Sequence, residues 1–202
     1  MNPAVIYRVM ETFLTLQGEG YHQGRSACFV RLGGCDVGCS WCDVKESWVA
    51  EKHPGLLLSE LVDKVKESGA PICVITGGEP LMYDLGALTS SLRELGIKTH
   101  LETSGAWPLS GTWDWICISP KRFKLPLEEV LSMANEYKVV IHHPNDIRFA
   151  ERFTSLLQPD CRLYLQPEWD VREDILPSIL EYIHAHPEWS LGIQSHKYIH
   201  VP

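Results

Sequence analysis

Cys35-Asp36-Val37-Gly38-Cys39-Ser40-Trp41-Cys42 is the stretch on which the reading of this chain turns. Three cysteines at Cys-x3-Cys-x2-Cys spacing crowd into a short loop, just after an apolar, strand-like run over 27–32. Three thiolates can hold three irons of a [4Fe–4S] cluster and leave the fourth iron without a protein ligand. An open iron is what a cluster needs to bind a small molecule and do chemistry rather than only pass electrons. Two plainer readings compete: a zinc knuckle, or cysteines that merely pack. Structural zinc prefers four ligands, usually in two pairs. This loop has no local fourth, and His53 lies well downstream after a charged stretch. Cys28, Cys73, Cys117 and Cys161 read differently. Each sits in or beside an apolar run, where free cysteine behaves as a small hydrophobe.

Outward from the loop, short apolar strands alternate with amphipathic helices. Strands are predicted over 27–32, 72–75, 99–102, 115–119, 138–141, 162–165 and 190–193. Helices are predicted over 59–67 with Ser59 as cap, over 84–95 with Asp84 as cap and Gly96 as stop, and over 127–135, 146–157 and 174–184. Such alternation implies parallel βαβ units with right-handed crossovers. Six or seven strands in 202 residues is short for a closed eight-fold barrel, which takes about 250 residues. The expected fold is α/β: an incomplete (β/α) barrel, open on one side, in one domain over 1–202. Sites in such folds form at the C-terminal ends of the strands, where each polar or glycine-rich motif of this chain falls.

Composition narrows the classes. The 18 basic and 26 acidic residues give a net charge of −8, which argues against a nucleic-acid partner. No apolar run is long enough for a membrane span, and 1–8 lacks the charged-then-apolar pattern of an export signal. Seven cysteines without such a signal point to a reducing cytoplasm, where clustered spacing reads as metal-binding or catalytic.

The remaining motifs can be given chemistry. Thr76-Gly77-Gly78-Glu79-Pro80 ends a buried-looking strand; its glycines allow close backbone approach, and Glu79 can accept from an ammonium group, although a bare tight turn reads equally well. Glu102 could accept from a ribose diol or be a solvated carboxylate. Ser119-Pro120-Lys121 and Gln166-Pro167 could offer groups to an adenosyl moiety or be ordinary turns. Leu16-Gln17-Gly18-Glu19-Gly20 suggests a polar clamp for a flat heterocycle, because Glu19 can accept paired N–H donors from a guanidine-like ring edge. The planar fork of Arg31 suits a carboxylate, or a structural ion pair. The tail Gln194-Ser195-His196-Lys197-Tyr198 onward either frays or tucks inwards. His142, His143, His184 and His186 show no partner pattern.

The cysteine loop resembles the signature of the radical S-adenosylmethionine (SAM) superfamily. More specifically, the chain resembles the 7-carboxy-7-deazaguanine synthase family of the queuosine and 7-deazapurine pathway. The residues that carry this run end to end: Thr15 to Gly20, Phe29-Val30-Arg31, Cys35 to Asp43, Thr76 to Pro80, Glu102 to Gly105, Ser119 to Lys121, Gln166-Pro167 and Gln194 to Tyr198. The resemblance implies a radical lyase that converts 6-carboxy-5,6,7,8-tetrahydropterin to 7-carboxy-7-deazaguanine with loss of ammonia. It implies a homodimer and an external one-electron donor such as flavodoxin. Cys35, Cys39 and Cys42 would hold the cluster. Ser40, Trp41, Cys42, Gly78, Glu79, Glu102, Ser119, Pro120, Lys121 and Gln166 would contact SAM. Leu16, Gln17, Gly18, Glu19, Arg31, Thr76, His196 and Pro202, the last through a terminal carboxylate, would contact the pterin. One position departs from the pattern. The family usually has a hydroxyl residue two places after the last cluster cysteine, as a Mg²⁺ ligand; here Asp43 is followed by Val44, which offers no oxygen. The expectation is weakened but not abolished Mg²⁺ stimulation. The competing functions are a radical SAM activase acting on a partner protein and a zinc-stabilised binding module.

Overall fold

The computed structural model describes residues 5–202, so part of the 1–8 segment weighed above lies outside it. One nine-stranded sheet organises the chain, in the order β3-β1-β2-β4-β5-β6-β7-β8-β9. The strands are β1 (Ile6–Leu16), β2 (Ser26–Leu32), β3 (Gly55–Leu57), β4 (Ile72–Gly77), β5 (Lys98–Thr103), β6 (Trp115–Ile118), β7 (Glu136–Ile141), β8 (Arg162–Pro167) and β9 (Trp189–Leu191). From β2 onward through β4 to β9, every neighbouring pair is parallel. The sheet does not close: β3 and β9 are its two edges. The expected open (β/α) architecture is the one found.

Sequence reading missed the edge. β1 and β3 pair antiparallel, β1 with β2 and β3 with β1. β1 was passed over because its apolar alternation is broken by a register shift between Val9 and Glu11 and by exposed Leu14 and Leu16.

Period two sorts the sheet into two faces. Cys28, Val30, Leu32, Cys73, Ile75, Leu101, Ile116, Ile118, Tyr137, Val139, Ile141 and Leu165 belong to the main core. The helices pack there: α1 (Leu58–Glu67), α2 (Gly86–Glu94), α3 (Glu128–Leu131), α4 (Asn145–Glu151) and α5 (Arg172–Ala185). The alternate residues face inwards across the open barrel. Ala27, Phe29, Ile72 and Val74 form a small second apolar cluster there, and His100, Glu102, Cys117, Glu136, Lys138 and Gln166 continue the same face.

Several helix limits differ from expectation. α1 starts one residue early, and its first turn is closed by Glu60, whose carboxylate accepts from Leu57 N at 2.7 Å; Ser59 is not the cap. α2 begins at Gly86, with Asp84 accepting from Gly86 N at 2.9 Å. The helix expected over 127–135 shrinks to Glu128–Leu131. Asn135 is drawn into the sheet instead: its Oδ1 accepts from Ile116 N at 2.8 Å, and its backbone bonds to Ile116 and Arg162. α4 ends at Glu151 and is followed by one 3-10 turn at Thr154–Leu156, not by helix to 157.

Candidate active site

Strands β2 and β4 to β8 deliver their C-terminal ends to one cavity of about 270 Å³. The cluster loop forms one wall. Cys35, Cys39 and Cys42 all line the cavity, together with Trp41, Asp43 and Val44. The loop is pinned at its base: Gly34 N donates to Ser47 O at 2.6 Å and Cys35 N to Trp48 O at 3.1 Å. Asp36 is held by Lys124 Nζ at 2.6 Å and Trp107 Nε1 at 3.1 Å. Burial pushes the Cys39 thiol up to about 11, with the ammonium of Lys121 working against it.

The Gly77-Gly78 pair serves the loop more than a ligand. A Cβ on Gly77 would stand 2.3 Å from Leu32 O, and one on Gly78 would stand 2.3 Å from Gly34 O and 2.7 Å from Cys35 Cβ. Only glycine lets the end of β4 lie against the start of the cysteine loop. Glu79 is likewise committed. It is 1% exposed and accepts from Leu81 N (3.1 Å), Thr103 Oγ1 (2.5 Å), Ser104 N (2.9 Å) and Ser104 Oγ (2.5 Å). Glu79, Ser40 and Pro120 are not on the cavity wall. The other expected contacts are: Leu16, Gln17, Gly18, Glu19, Arg31, Thr76, Gly78, Glu102, Ser119, Lys121, Gln166, His196 and Pro202.

Several of these already have partners. Gln17 Nε2 donates to Glu102 Oε1 at 2.8 Å, joining the β1–β2 loop to the end of β5. Arg31 pairs with Glu11 at 2.6 Å, the structural alternative weighed for it. Lys121 donates to Ser119 O and Oγ, each at 2.6 Å, and lies 5.6 Å from the Trp41 ring centre. Gln166 is 2% exposed, and its Oε1 has no partner. Such an orphaned acceptor on a cavity wall is a place for a ligand donor.

The tail tucks inwards. Helix α6 (Ser195–Ile199) docks on the β1–β2 loop: Ser195 N and Oγ donate to Gly18 O at 2.9 and 3.0 Å, and Gln194 Nε2 donates to Glu19 Oε1 at 2.8 Å. Gly18 is required there, because a Cβ would lie 2.1 Å from His196 Nδ1. Thr15 Oγ1 donates to Pro202 O at 3.0 Å, and Lys197 pairs with Asp43 at 3.0 Å. His142 also has a partner after all, Glu168 at 3.3 Å.

Sequence reading missed Lys138, Glu136, Glu168, Trp169 and Lys197. Lys138 is the most informative. It is a lysine inside a buried parallel strand, 4% exposed, ion-paired with Glu19 and on the cavity wall. A lysine ahead of the apolar run Val139–Ile141 was the available signal. Burial works to lower its pKa, but the carboxylates of Glu102 and Glu19 outweigh this and raise it.

The chemistry of the donor set fits a [4Fe–4S] cluster. A four-iron cluster gives each thiolate its own iron, so its thiolates must ring a space, as these line one. For Mg²⁺ the set is thinner: Val44 has no donor, and of the exposed Asp43 carboxylate Oδ2 pairs with Lys197 while Oδ1 stays open.

Comparison with known proteins agrees. The radical SAM superfamily model matches residues 29–116, strand β2 through the start of β6. The fold and site thus define a radical SAM enzyme, and with it a [4Fe–4S] cluster and SAM. Among curated relatives, the 7-carboxy-7-deazaguanine synthase of Synechocystis is 47% identical, covering 98% of this chain and 94% of that protein. The one of Flavobacterium psychrophilum is 46% identical, covering 96% and 92%. The crystal structure of QueE from Escherichia coli superposes with a TM-score of 0.84 at 33% identity over 95% of each chain. The chain belongs to the 7-carboxy-7-deazaguanine synthase family. The protein-activase and zinc-module readings give way to it.

Proposed function

We propose that this chain is a lyase that converts 6-carboxy-5,6,7,8-tetrahydropterin to 7-carboxy-7-deazaguanine, releasing ammonia. The observation that carries the reading is the convergence of three thiols, an orphaned Gln166 acceptor and the Gln17–Glu19 clamp on one cavity. When bound, the cluster and SAM supply the 5′-deoxyadenosyl radical that takes a hydrogen from C6 of the pterin. The protein supplies placement. Cys35, Cys39 and Cys42 hold the cluster; Trp41, Gly78, Glu102, Ser119, Lys121 and Gln166 line SAM. Gln17, Glu19, Thr76, Arg31, His196 and Pro202 surround the pterin, with α6 as a wall that keeps bulk water from the radical. Glu79 acts behind this wall. Glu79 ties the ends of β4 and β5 together, which sets the height of the Gly78 backbone.

A homodimer, a cytoplasmic location and a one-electron donor such as flavodoxin complete the proposal. The deciding experiment is anaerobic turnover of the pterin by the reconstituted protein with SAM and a strong reductant, with and without chelator. Product is expected, with a rate that Mg²⁺ stimulates weakly. A brown protein that cleaves SAM yet makes no 7-carboxy-7-deazaguanine would refute the substrate. Strict Mg²⁺ dependence would refute the expectation that Val44 weakens the hold on the ion.

A further inference from the structure

We propose that Lys138 is a positioning residue that keeps Glu19 an ionised carboxylate at the cavity wall, so that Glu19 accepts the N–H donors of a guanidine-like ring edge on the substrate. The inference rests on the function proposed above and extends it to a residue that carries no motif.

Lys138 stands on the inward face of β7. The charged and titratable groups around it come from every neighbouring element: Glu19 from the β1–β2 loop, Glu102 from β5, Cys117 from β6, Lys121 from the loop after β6, Tyr164 from β8, which stands opposite it in register, and Glu136 from β7 itself. His196 of α6 lies beyond Glu19. A buried ammonium is costly unless paired and hydrogen-bonded, and this one is paired with Glu19.

Glu19 has capacity to spare. Its Oε2 accepts from Lys138 and its Oε1 from Gln194 Nε2 at 2.8 Å. An ionised carboxylate offers about four lone-pair sites, so about two remain for a ligand, and Glu19 lines the cavity. The ionisation itself depends on Lys138. Burial alone would raise the Glu19 carboxyl; the Lys138 ammonium outweighs it and brings the group down to about 2. Without that ammonium, the burial that raises the Glu19 carboxyl loses its main opponent, and Glu19 takes up a proton more readily. A protonated Glu19 presents a donor where the substrate edge also presents donors.

The test compares KM and kcat for the pterin from about pH 6 to 9 in anaerobically reconstituted enzyme. Glu19 makes no contribution to the wild-type profile in that range, because it is ionised throughout. Lys138→Met is expected to raise KM about tenfold at the acid end and to recover toward the alkaline end, as Glu19 titrates. Lys138→Arg restores the wild-type dependence. Glu19→Gln and the double variant Glu19→Gln/Lys138→Met are expected to share one KM, because Lys138 acts through Glu19; this comparison holds even if Lys138→Met folds poorly. A Lys138→Met profile parallel to wild type, or a double variant much weaker than Glu19→Gln, would overturn the inference. A substrate-free readout separates it from the function proposed above. In protein labelled with carbon-13 at glutamate carboxyls, the Glu19 signal should titrate near neutrality in Lys138→Met and stay flat in wild type. A wild type that makes no product refutes the substrate, while this signal still decides the role of Lys138.

Discussion

Glu79 illustrates how a residue can be conspicuous in sequence for one reason and needed for another. In Gly-Gly-Glu-Pro it reads as a ligand-facing acceptor at a strand end, yet it is 1% exposed with its oxygens filled by Leu81, Thr103 and Ser104. Which way a carboxylate points is a tertiary fact, set here by the neighbouring β5 end. Glu79→Ala removes the acceptor for buried donors and leaves a cavity. It is expected to cost about 3 kcal/mol of stability and to loosen the cluster loop, read as a lower unfolding midpoint together with partial loss of iron. The cysteines are the opposite case: local spacing alone identified them, because all three thiols fall within one short loop, although distant residues such as Lys124 and Trp107 help hold it.

At the level of elements, the docking of α6 on the β1–β2 loop joins the last and first parts of the site. Gly18 makes the contact close, since a Cβ would collide with His196. Gly18→Ala must push α6 away and break the bonds from Ser195. The expected result is an unchanged iron content with KM for the pterin raised about tenfold, measured by iron assay and steady-state kinetics side by side. Elements with strong periodicity, such as α1 with Leu61 and Val65 inward, were legible in the sequence. β1 was not, because a bulge and exposed leucines spoil its alternation. Nor was the short α3, because Asn135 is recruited by strands on both sides of it.

For the molecule as a whole, the inward face of the sheet makes stability depend on pH. His100 is 4% exposed beside His22, and burial lowers its pKa to about 4. Unfolded histidine has a pKa of about 6.5, so between these values the unfolded chain binds a proton that the native state refuses. Stability is therefore lost as pH falls through that window. Glu19, held down to about 2, adds a further loss as pH falls below about 4.3. Stability measured near pH 7 and pH 5 should differ by on the order of 2 kcal/mol more in wild type than in His100→Leu. Equal differences in the two proteins would remove His100 from the account.

By itself the sequence determined the alternation of strands and helices, the openness expected of a short run of parallel strands, and the three-thiol loop, because each depends on short-range pattern or on chain length. Tertiary structure alone decided which polar groups face the cavity and which are spent. Lys138 and Glu19, Lys197 and Asp43, and Arg31 and Glu11 are pairs that few local signals could announce. Lys138–Glu19 gains from a buried, low-dielectric contact and the other two pairs are more exposed, but each joins segments that only folding brings together.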